Sequence, residues 1–255
     1  MSESASSKSP IMLGIFQYMP LPMVSRYLAR QGWKWVVLDM QHGPMNNETA
    51  YECIHTLRAH GAQPYVRVSV DHPTMIQRLL DLGAAGIVVP VVNSKEAAQA
   101  AAYAAKFPPL GGRSKGGDVD LQFGEDYAEW ANRDTKLLVQ IEHIDAVNSV
   151  EQILAVEGVD GCFMGQVDLA ISMGLGHRNF KDNEEHRKGI QRSVDVCNGL
   201  GKLACYNAFS MAEAEERARQ GFRGITFRSD VDWLLGATGA LLAEIQNEFG
   251  GAAEL

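Results

Sequence analysis

Eight short apolar runs, each separated from the next by a longer amphipathic stretch, set the narrowest limits on how this chain can fold. The runs are IMLGIFQ (11–17), WKWVVLDM (33–40), QPYVRVSV (63–70), AGIVVPVV (85–92), KLLVQIEH (136–143), VDGCFMG (159–165), KLACYNAF (202–209) and FRGITFRS (222–229). They are short, and many are rich in β-branched or aromatic residues, so they read as strands. Helical periodicity fills the intervals at 22–31, 47–60, 73–82, 95–106, 145–156, 183–200, 211–220 and 232–249. Glycines stand where helix gives way to strand, at Gly32, Gly61, Gly83, Gly158, Gly201 and Gly221. Glycine accepts the left-handed conformation that ends many helices. Strands joined through helices pair in parallel, and strands apolar along their whole length are covered on both faces. Eight such units predict a single-domain closed α/β fold, a (β/α)₈ barrel of the TIM type. An open, doubly wound sheet is the alternative. It would usually carry a Gly-rich phosphate turn after an early strand, and no G-x-G-x-x-G spacing occurs.

The length of 255 residues suits one barrel, and no composition break marks a second domain. Residues 11–255 are therefore assigned to the barrel, and the polar MSESASSKSP (1–10) to a disordered tail. The tail lacks the apolar core of a signal peptide, and no run approaches the roughly 18 residues of a membrane span, so a cytoplasmic location is expected. The net charge of −8 argues against nucleic acid or an anionic membrane as partner. Cys53, Cys162, Cys197 and Cys205 form no C-x-x-C pair and read as buried, reduced thiols. The longest irregular stretch, 108–125, follows the fourth helix. That places it at the end of the barrel opposite the usual catalytic face, where a subunit contact or a flap over a neighbouring chain fits.

Barrel enzymes build their sites at the C-terminal ends of the strands. There this chain carries Gln17, then Asp39 with Gln41 and His42, then Arg67, then Gln140 and Glu142, then Asp168, Asn207, Arg228 and Asp230. Gln140 and Glu142 are two apart and share a strand face. A lone carboxylate is most often a helix cap or a surface charge. Glu142 and Asp168, at the ends of adjacent strands, can instead share one hard cation. His42 close to Asp39 suits a general base, and Asp81 in LLDLGA offers a second acid to hold its ring. Arg67 is costly inside a barrel unless it meets an anion, and an anion-binding role is expected over a structural ion pair. The other histidines, His55, His60, His72, His143, His177 and His186, read as helix surfaces or loops. No strand end offers a lysine suited to Schiff-base chemistry.

Taken in order, VVLDMQHGP (36–44), YVRV (65–68), LLDLGAAGIVVPVV (79–92), FPPLGGRS (107–114), LVQIEH (138–143) and VEGVDGCFMGQVDLAISMG (156–174) resemble the HpcH/HpaI aldolase family. These are class II pyruvate aldolases such as 4-hydroxy-2-oxoheptanedioate aldolase and 2-keto-3-deoxy-sugar-acid aldolases. The resemblance covers roughly residues 11 to 250. It implies a divalent-metal-dependent carbon–carbon lyase that cleaves or forms 4-hydroxy-2-oxo acids through a pyruvate enolate, with a small 2-oxo acid and an aldehyde as substrates. It implies Mg²⁺, Mn²⁺ or Co²⁺ held by Glu142 and Asp168, with Gln140, the backbone at Val167 and Asp168 at the pyruvate unit. It implies His42 as base through a metal-bound water, Asp81 raising its basicity and Arg67 stabilising the enolate. It further implies a homo-oligomer, a hexamer built from dimers that exchange the C-terminal helix. The chain departs from the family in reading Asp39-Met40-Gln41-His42 for D-G-E-H, Gly165-Gln166-Val167-Asp168-Leu169-Ala170 for G-P-A-D-L-S, and Val68-Ser69-Val70-Asp71-His72-Pro73 in the loop after Arg67. Competing readings are an oxaloacetate-type decarboxylase or synthase, a CoA-ester lyase and a catalytically silent barrel. No obvious basic CoA pocket shows in this acidic chain, and Glu142, Asp168, His42 and Arg67 together argue against silence.

Overall fold

The computed structural model describes residues 10–69, 73–178 and 180–250. The expected tail therefore lies outside the described residues except for Pro10, as do Val70–His72 of the loop after Arg67 and the last residues of the assigned domain.

Strands β1 (Met12–Gln17), β2 (Trp35–Asp39), β3 (Gln63–Arg67), β4 (Gly86–Val89), β5 (Lys136–Ile141), β6 (Gly161–Met164), β7 (Leu203–Ala208) and β8 (Gly224–Ser229) pair in parallel in chain order. β8 returns to β1 and closes the barrel. The helices are α1 (Pro22–Arg30), α2 (Asn47–Ala59), α3 (Pro73–Asp81), α4 (Lys95–Ala105), α5 (Val119–Phe123), α6 (Tyr127–Asp134), α7 (Ile144–Asn148), α8 (Val150–Leu154), α9 (Gln166–Ser172), α10 (Glu184–Gly199), α11 (Met211–Gln220) and α12 (Asp230–Phe249). The (β/α)₈ expectation is met strand for strand. The helix expected over 145–156 divides at Ser149 into α7 and α8, and the stretch read as irregular contains α5. Every junction glycine named above has a positive φ; at Gly221, where φ is +114°, it ends α11 in the left-handed region.

Strand alternation sorts the side chains into two layers. The outer one packs strands against helices. The inner one is an apolar plug of Phe16, Trp35, Val37, Tyr65, Val88, Leu138, Phe163 and Cys205. Trp35 and Tyr65 meet edge to face at 5.6 Å. Glycines make room for them: a Cβ on Gly14 would fall 2.6 Å from the Trp35 ring, and one on Gly86 2.6 Å from the Tyr65 ring. Large beside small fills the barrel, so it is a packed core with ligand access at its ends. All four cysteines are buried and free, as expected.

The end holding the N-termini of the strands is closed by polar clasps. Lys106 is buried and donates to the carbonyls of Asn132 and Thr135 and, at 2.8 Å, to Asp160. Arg113, also buried, donates to Asp81 at 2.6 Å and to the Tyr127 hydroxyl at 2.7 Å.

α12 departs from the pattern of a barrel helix. It is exposed from Asp232 to its end, presenting Trp233, Leu234, Leu235, Leu241, Leu242, Ile245 and Phe249. Leu13 on β1 is left uncovered as well. Among the described residues, no helix is long and apolar enough to cross a membrane.

Candidate active site

Two adjoining pockets open at the C-terminal ends of the strands. The inner one, of about 100 Å³, lies over the Phe16–Phe163 edge of the plug and is lined by Tyr18, Arg67, Gln140, Gln166, Val167, Asp168, Asn207 and Phe209. The outer cleft, of about 370 Å³, is lined by Gln41, His42, Val91, Glu142, His143 and Asp168. Asp168 belongs to both. The fold thus gathers His42, Arg67, Gln140, Glu142, Val167 and Asp168 at one end of the barrel.

Asp81 is not among them. It ends α3, at the opposite end of the barrel, and its carboxylate pairs with Arg113. Burial raises its pKa against the opposing pull of Arg113. Within one chain it does not reach His42. The physical reason is topological: a residue at the end of a helix, just before the next strand begins, sits at the barrel's N-terminal face.

Asp39 takes the organising place. Its carboxylate receives Arg67 through two hydrogen bonds, Nε at 3.0 Å and Nη2 at 2.7 Å. It also accepts the backbone N–H groups of Gln41 at 3.0 Å and His42 at 3.3 Å. It therefore holds the backbone of the His42 turn and not the imidazole, which is exposed. Arg67 forms the ion pair that the sequence reading ranked second, yet it also lines the inner pocket, with its guanidinium 5.0 Å from the centre of the Phe16 ring. Burial works against its charge, and the bonds and charge of Asp39 more than offset this, so its pKa is raised.

Glu142 is buried at the end of β5. One carboxylate oxygen accepts the Val91 N–H at 2.6 Å and the other accepts the Gln140 amide. Val91 has φ +57°, a left-handed conformation that costs a β-branched residue about 1–2 kcal/mol. The bond from Glu142 holds this strained turn at the rim of the cleft. Burial raises the Glu142 pKa and the charge of Asp168 adds to the rise, while the Val91 and Gln140 bonds oppose it. The Gln140 side-chain oxygen and that of Gln41 are buried without a partner. No group of three or more His, Cys, Asp or Glu side chains among the described residues could hold a metal ion, so the acid pair has no third acid beside it.

Several strand-end residues turn out to serve the scaffold. Gln17 faces outward, where its amide donates to the Met19 and Leu21 carbonyls. Asp230 accepts the backbone N–H groups of Tyr18 at 2.8 Å and Met19 at 3.1 Å, pinning the loop after β1. His143 caps α7 by accepting the Asp145 N–H.

Two contributors were missed from sequence. Tyr18 lines the inner pocket, and burial, aided by Asp39, raises its phenol pKa, keeping it a neutral donor. His186, read as a surface residue, is 2% exposed, with Nε2 2.8 Å from the Gln166 carbonyl oxygen. The Gln166 amide in turn donates to the Asn207 carbonyl at 2.9 Å. These contacts fix the start of α9, which carries Asp168. Helical spacing holds the missed signal: His186 lies four residues before Ile190 and eight before Val194, on the buried face of α10.

The sequence model of the HpcH/HpaI aldolase/citrate lyase family matches residues 13–234. A hydroxypyruvate/pyruvate aldolase from Rhizorhabdus wittichii is 33% identical over 238 residues, covering 92% of this chain and 94% of its own. A 5-keto-4-deoxy-D-glucarate aldolase from Escherichia coli is 31% identical over 240 residues, covering 92% and 93% respectively. Among solved structures, an HpcH/HpaI aldolase/citrate lyase family protein from Burkholderia cenocepacia superposes with a TM-score of 0.86 at 29% identity, over 93% of this chain and 95% of that one.

Proposed function

The chain belongs to the HpcH/HpaI aldolase/citrate lyase family, and from that premise we propose that it is a divalent-metal-dependent aldolase joining a 2-oxo acid such as pyruvate to an aldehyde and cleaving the resulting 4-hydroxy-2-oxo acid. The observation that carries this reading is the donor set at the pocket: two carboxylates from adjacent strand ends, with an orphaned amide oxygen of Gln140 beside them. A buried oxygen acceptor without a donor suits a hard cation, and so does the Glu142 carboxylate, whose pKa is raised first by burial and then by the charge of Asp168. Glu142 and Asp168 would hold the ion. When bound, such an ion supplies Lewis-acid polarisation of the keto oxygen of the substrate.

The chain's own groups do the rest. Gln140 and the backbone at Val167 touch the acid unit of the substrate. Arg67, fixed by Asp39, offsets negative charge on the keto oxygen as the methyl group of the 2-oxo acid loses a proton. His42, at the rim of the outer cleft, takes that proton. The carbon so freed attacks the aldehyde carbonyl carbon, and the new oxyanion takes up a proton as the hydroxyl of the product. Cleavage reverses these steps.

The test is chelation and replacement. EDTA-treated protein is expected to be inactive and to recover with Mg²⁺, Mn²⁺ or Co²⁺. Glu142→Gln and Asp168→Asn are expected to fold but to lose Mn²⁺ binding in calorimetry. Borohydride trapping of a substrate adduct on a lysine, or wild-type Mn²⁺ affinity in either variant, counts against the assignment.

The uncovered apolar side chains of α12, together with exposed Leu13, also favour a homo-oligomer in which a second copy covers that helix, in keeping with the hexamer implied by resemblance. Light scattering at micromolar concentration is expected to give a multiple of the chain mass; a monomeric mass removes this part of the proposal.

A further inference from the structure

Resting on the aldolase reading above, we infer that His143 is a catalytic residue of the second half of the reaction. Its Nε2–H donates to the oxygen of the incoming aldehyde and offsets the negative charge this oxygen gains as the carbon–carbon bond forms. The first observation is the division of space at the strand ends. The inner pocket, of about 100 Å³, has room for the 2-oxo acid unit at Arg67, Gln140, Val167 and Asp168. The outer cleft, of about 370 Å³, meets it at Asp168. An aldehyde that reaches the methyl carbon of the acid unit therefore lies in the outer cleft.

That cleft offers few free donors. Val91 and Ile171 line it with exposed apolar side chains. Ionised Glu142 and Asp168 accept hydrogen bonds and cannot donate them. His42 has the methyl proton to take. The Ser172 hydroxyl is engaged, donating to the Leu169 carbonyl at 2.7 Å and accepting the Ile144 N–H at 3.0 Å. Gln41 and His143 remain. The Gln41 amide oxygen is buried, and its side chain makes no hydrogen bond among the described residues, so nothing holds its NH₂ group in place. His143 follows Glu142 directly in the chain, and its ring is held. A donor fixed before charge develops is worth more than one that must first be ordered.

The hold comes from α7. His143 is its N-cap, and Nδ1 accepts the Asp145 N–H at 3.1 Å. A neutral ring that accepts at Nδ1 carries its hydrogen on Nε2. The opposite tautomer would set Nδ1–H against the Asp145 N–H. The Asp145 carboxylate, 3.3 Å from Nδ1, is 69% exposed and too well hydrated to impose that arrangement. The cap bond thus makes Nε2–H a fixed donor, and Nε2 has no partner among the described residues. Capping alone does not ask for histidine, since Ser, Thr, Asp and Asn are the usual residues there. In the bond-forming step, the electron pair of the deprotonated methyl carbon attacks the formyl carbon, and the carbonyl π pair moves onto the aldehyde oxygen. That oxygen takes back, through solvent, the proton that His42 removed. His143 keeps its own proton throughout, and Arg67 serves the keto oxygen of the other partner.

The experiment compares two rates in the Mg²⁺-loaded protein: exchange of the methyl protons of pyruvate in D₂O, which is complete before an aldehyde enters, and addition of pyruvate to propanal. Dividing addition by exchange removes any effect on metal, pyruvate or proton removal. The ratio and the melting temperature are measured in wild type, His143→Asn, His143→Gln and Gln41→Ala. Asparagine keeps the cap but has no donor where Nε2 stood; glutamine brings an amide N–H near that place and caps poorly. His143→Asn is expected to lower the ratio by about tenfold or more, the size of a lost hydrogen bond to a developing charge, and to melt close to wild type. His143→Gln is expected to melt lower and to keep more of the ratio than His143→Asn. A residue that only caps gives the reverse order, with His143→Asn like wild type and His143→Gln impaired, and that order overturns the inference while leaving the aldolase intact. A ratio that falls in Gln41→Ala but holds in His143→Asn overturns it as well, by giving the donor to Gln41. A wild type that neither exchanges the methyl protons nor adds pyruvate to any aldehyde overturns the aldolase reading and this inference with it.

Discussion

Both ends of the barrel hold a buried arginine clasped by an aspartate, and the two pairs are built differently. At the C-terminal face, Arg67 meets Asp39 through two parallel hydrogen bonds, rests on a single ring and borders a pocket. At the N-terminal face, Arg113 offers one nitrogen to both Asp81 and Tyr127, and lies between the rings of Phe107 at 4.4 Å and Tyr127 at 5.2 Å. Its Nε and Nη1 find no partner and face aromatic carbon. Arg113 thus behaves as packing that happens to be charged, tying α3 to α6. Arg67 is a charge held still beside space for a ligand. The same pair of residue types serves cohesion where rings close over it and chemistry where they stand aside.

This contrast can be broken by exchanging the roles in experiment. Arg67→Ala is expected to lower kcat by about 10²–10³-fold, the usual loss when one positioned electrostatic donor is removed. Arg113→Ala is expected to leave the kcat of the folded fraction near that of wild type while costing about 3 kcal/mol of stability, because a hole opens between two rings and Asp81 loses its partner. Turnover measured well below both melting temperatures, together with urea unfolding, checks the two. If Arg113→Ala lost turnover while keeping its stability, the division between the ends would not hold.

Asp81 sharpens the same comparison at smaller scale. Its side chain is 30% exposed, so Asp81→Asn is expected to lower stability by only about 1 kcal/mol while leaving kcat unchanged. A fall in kcat at unchanged stability would mean that Asp81 reaches the His42 of a second copy. The N-terminal face of one barrel would then complete the site of another.

Much of this arrangement was legible in the residues. The strands were visible as apolar runs because most of their residues are buried on both faces, and the inward row of β5 places Gln140 and Glu142 together from spacing alone. Asp81 was grouped with His42 because a motif carries no label for barrel end, although its place in a helix–glycine–strand junction assigns it to the N-terminal face of its own barrel. The Arg67 ion pair depended on Asp39 lying opposite it in the ladder, and register is a long-range property. α6 escaped notice although Phe123, Tyr127 and Trp130 recur at helical spacing, because the glycines around them read as loop. β8 also carries a bulge at Arg228, which left no local mark because it arises from the fit of β8 to β1.

The smallest expected effect concerns how the catalytic end keeps its shape near Asp168. His186 is buried against Gln166, and burial lowers its pKa from the ordinary 6.5, with the charge of Arg217 adding to the shift and the Gln166 carbonyl opposing it. In the unfolded chain this histidine takes up a proton as pH falls through about 6.5. In the folded chain it stays neutral further down. The unfolded state therefore binds more protons in that interval, and stability falls as pH is lowered from about 6.5 toward the folded value; above it, the full stability is retained. His186→Gln keeps a donor that can face the Gln166 carbonyl but cannot titrate. Its melting temperature should drop less than that of wild type between pH 7.5 and pH 5.5, and the two proteins should differ least in that drop when only pH values above 7 are compared. Arg113→Lys, at the other end of the barrel, leaves His186 in place and should keep the wild-type pH slope whatever its stability. An equal slope in His186→Gln and wild type would show that the start of α9 does not depend on a neutral imidazole, and that the catalytic end is no more sensitive to acid than its opposite.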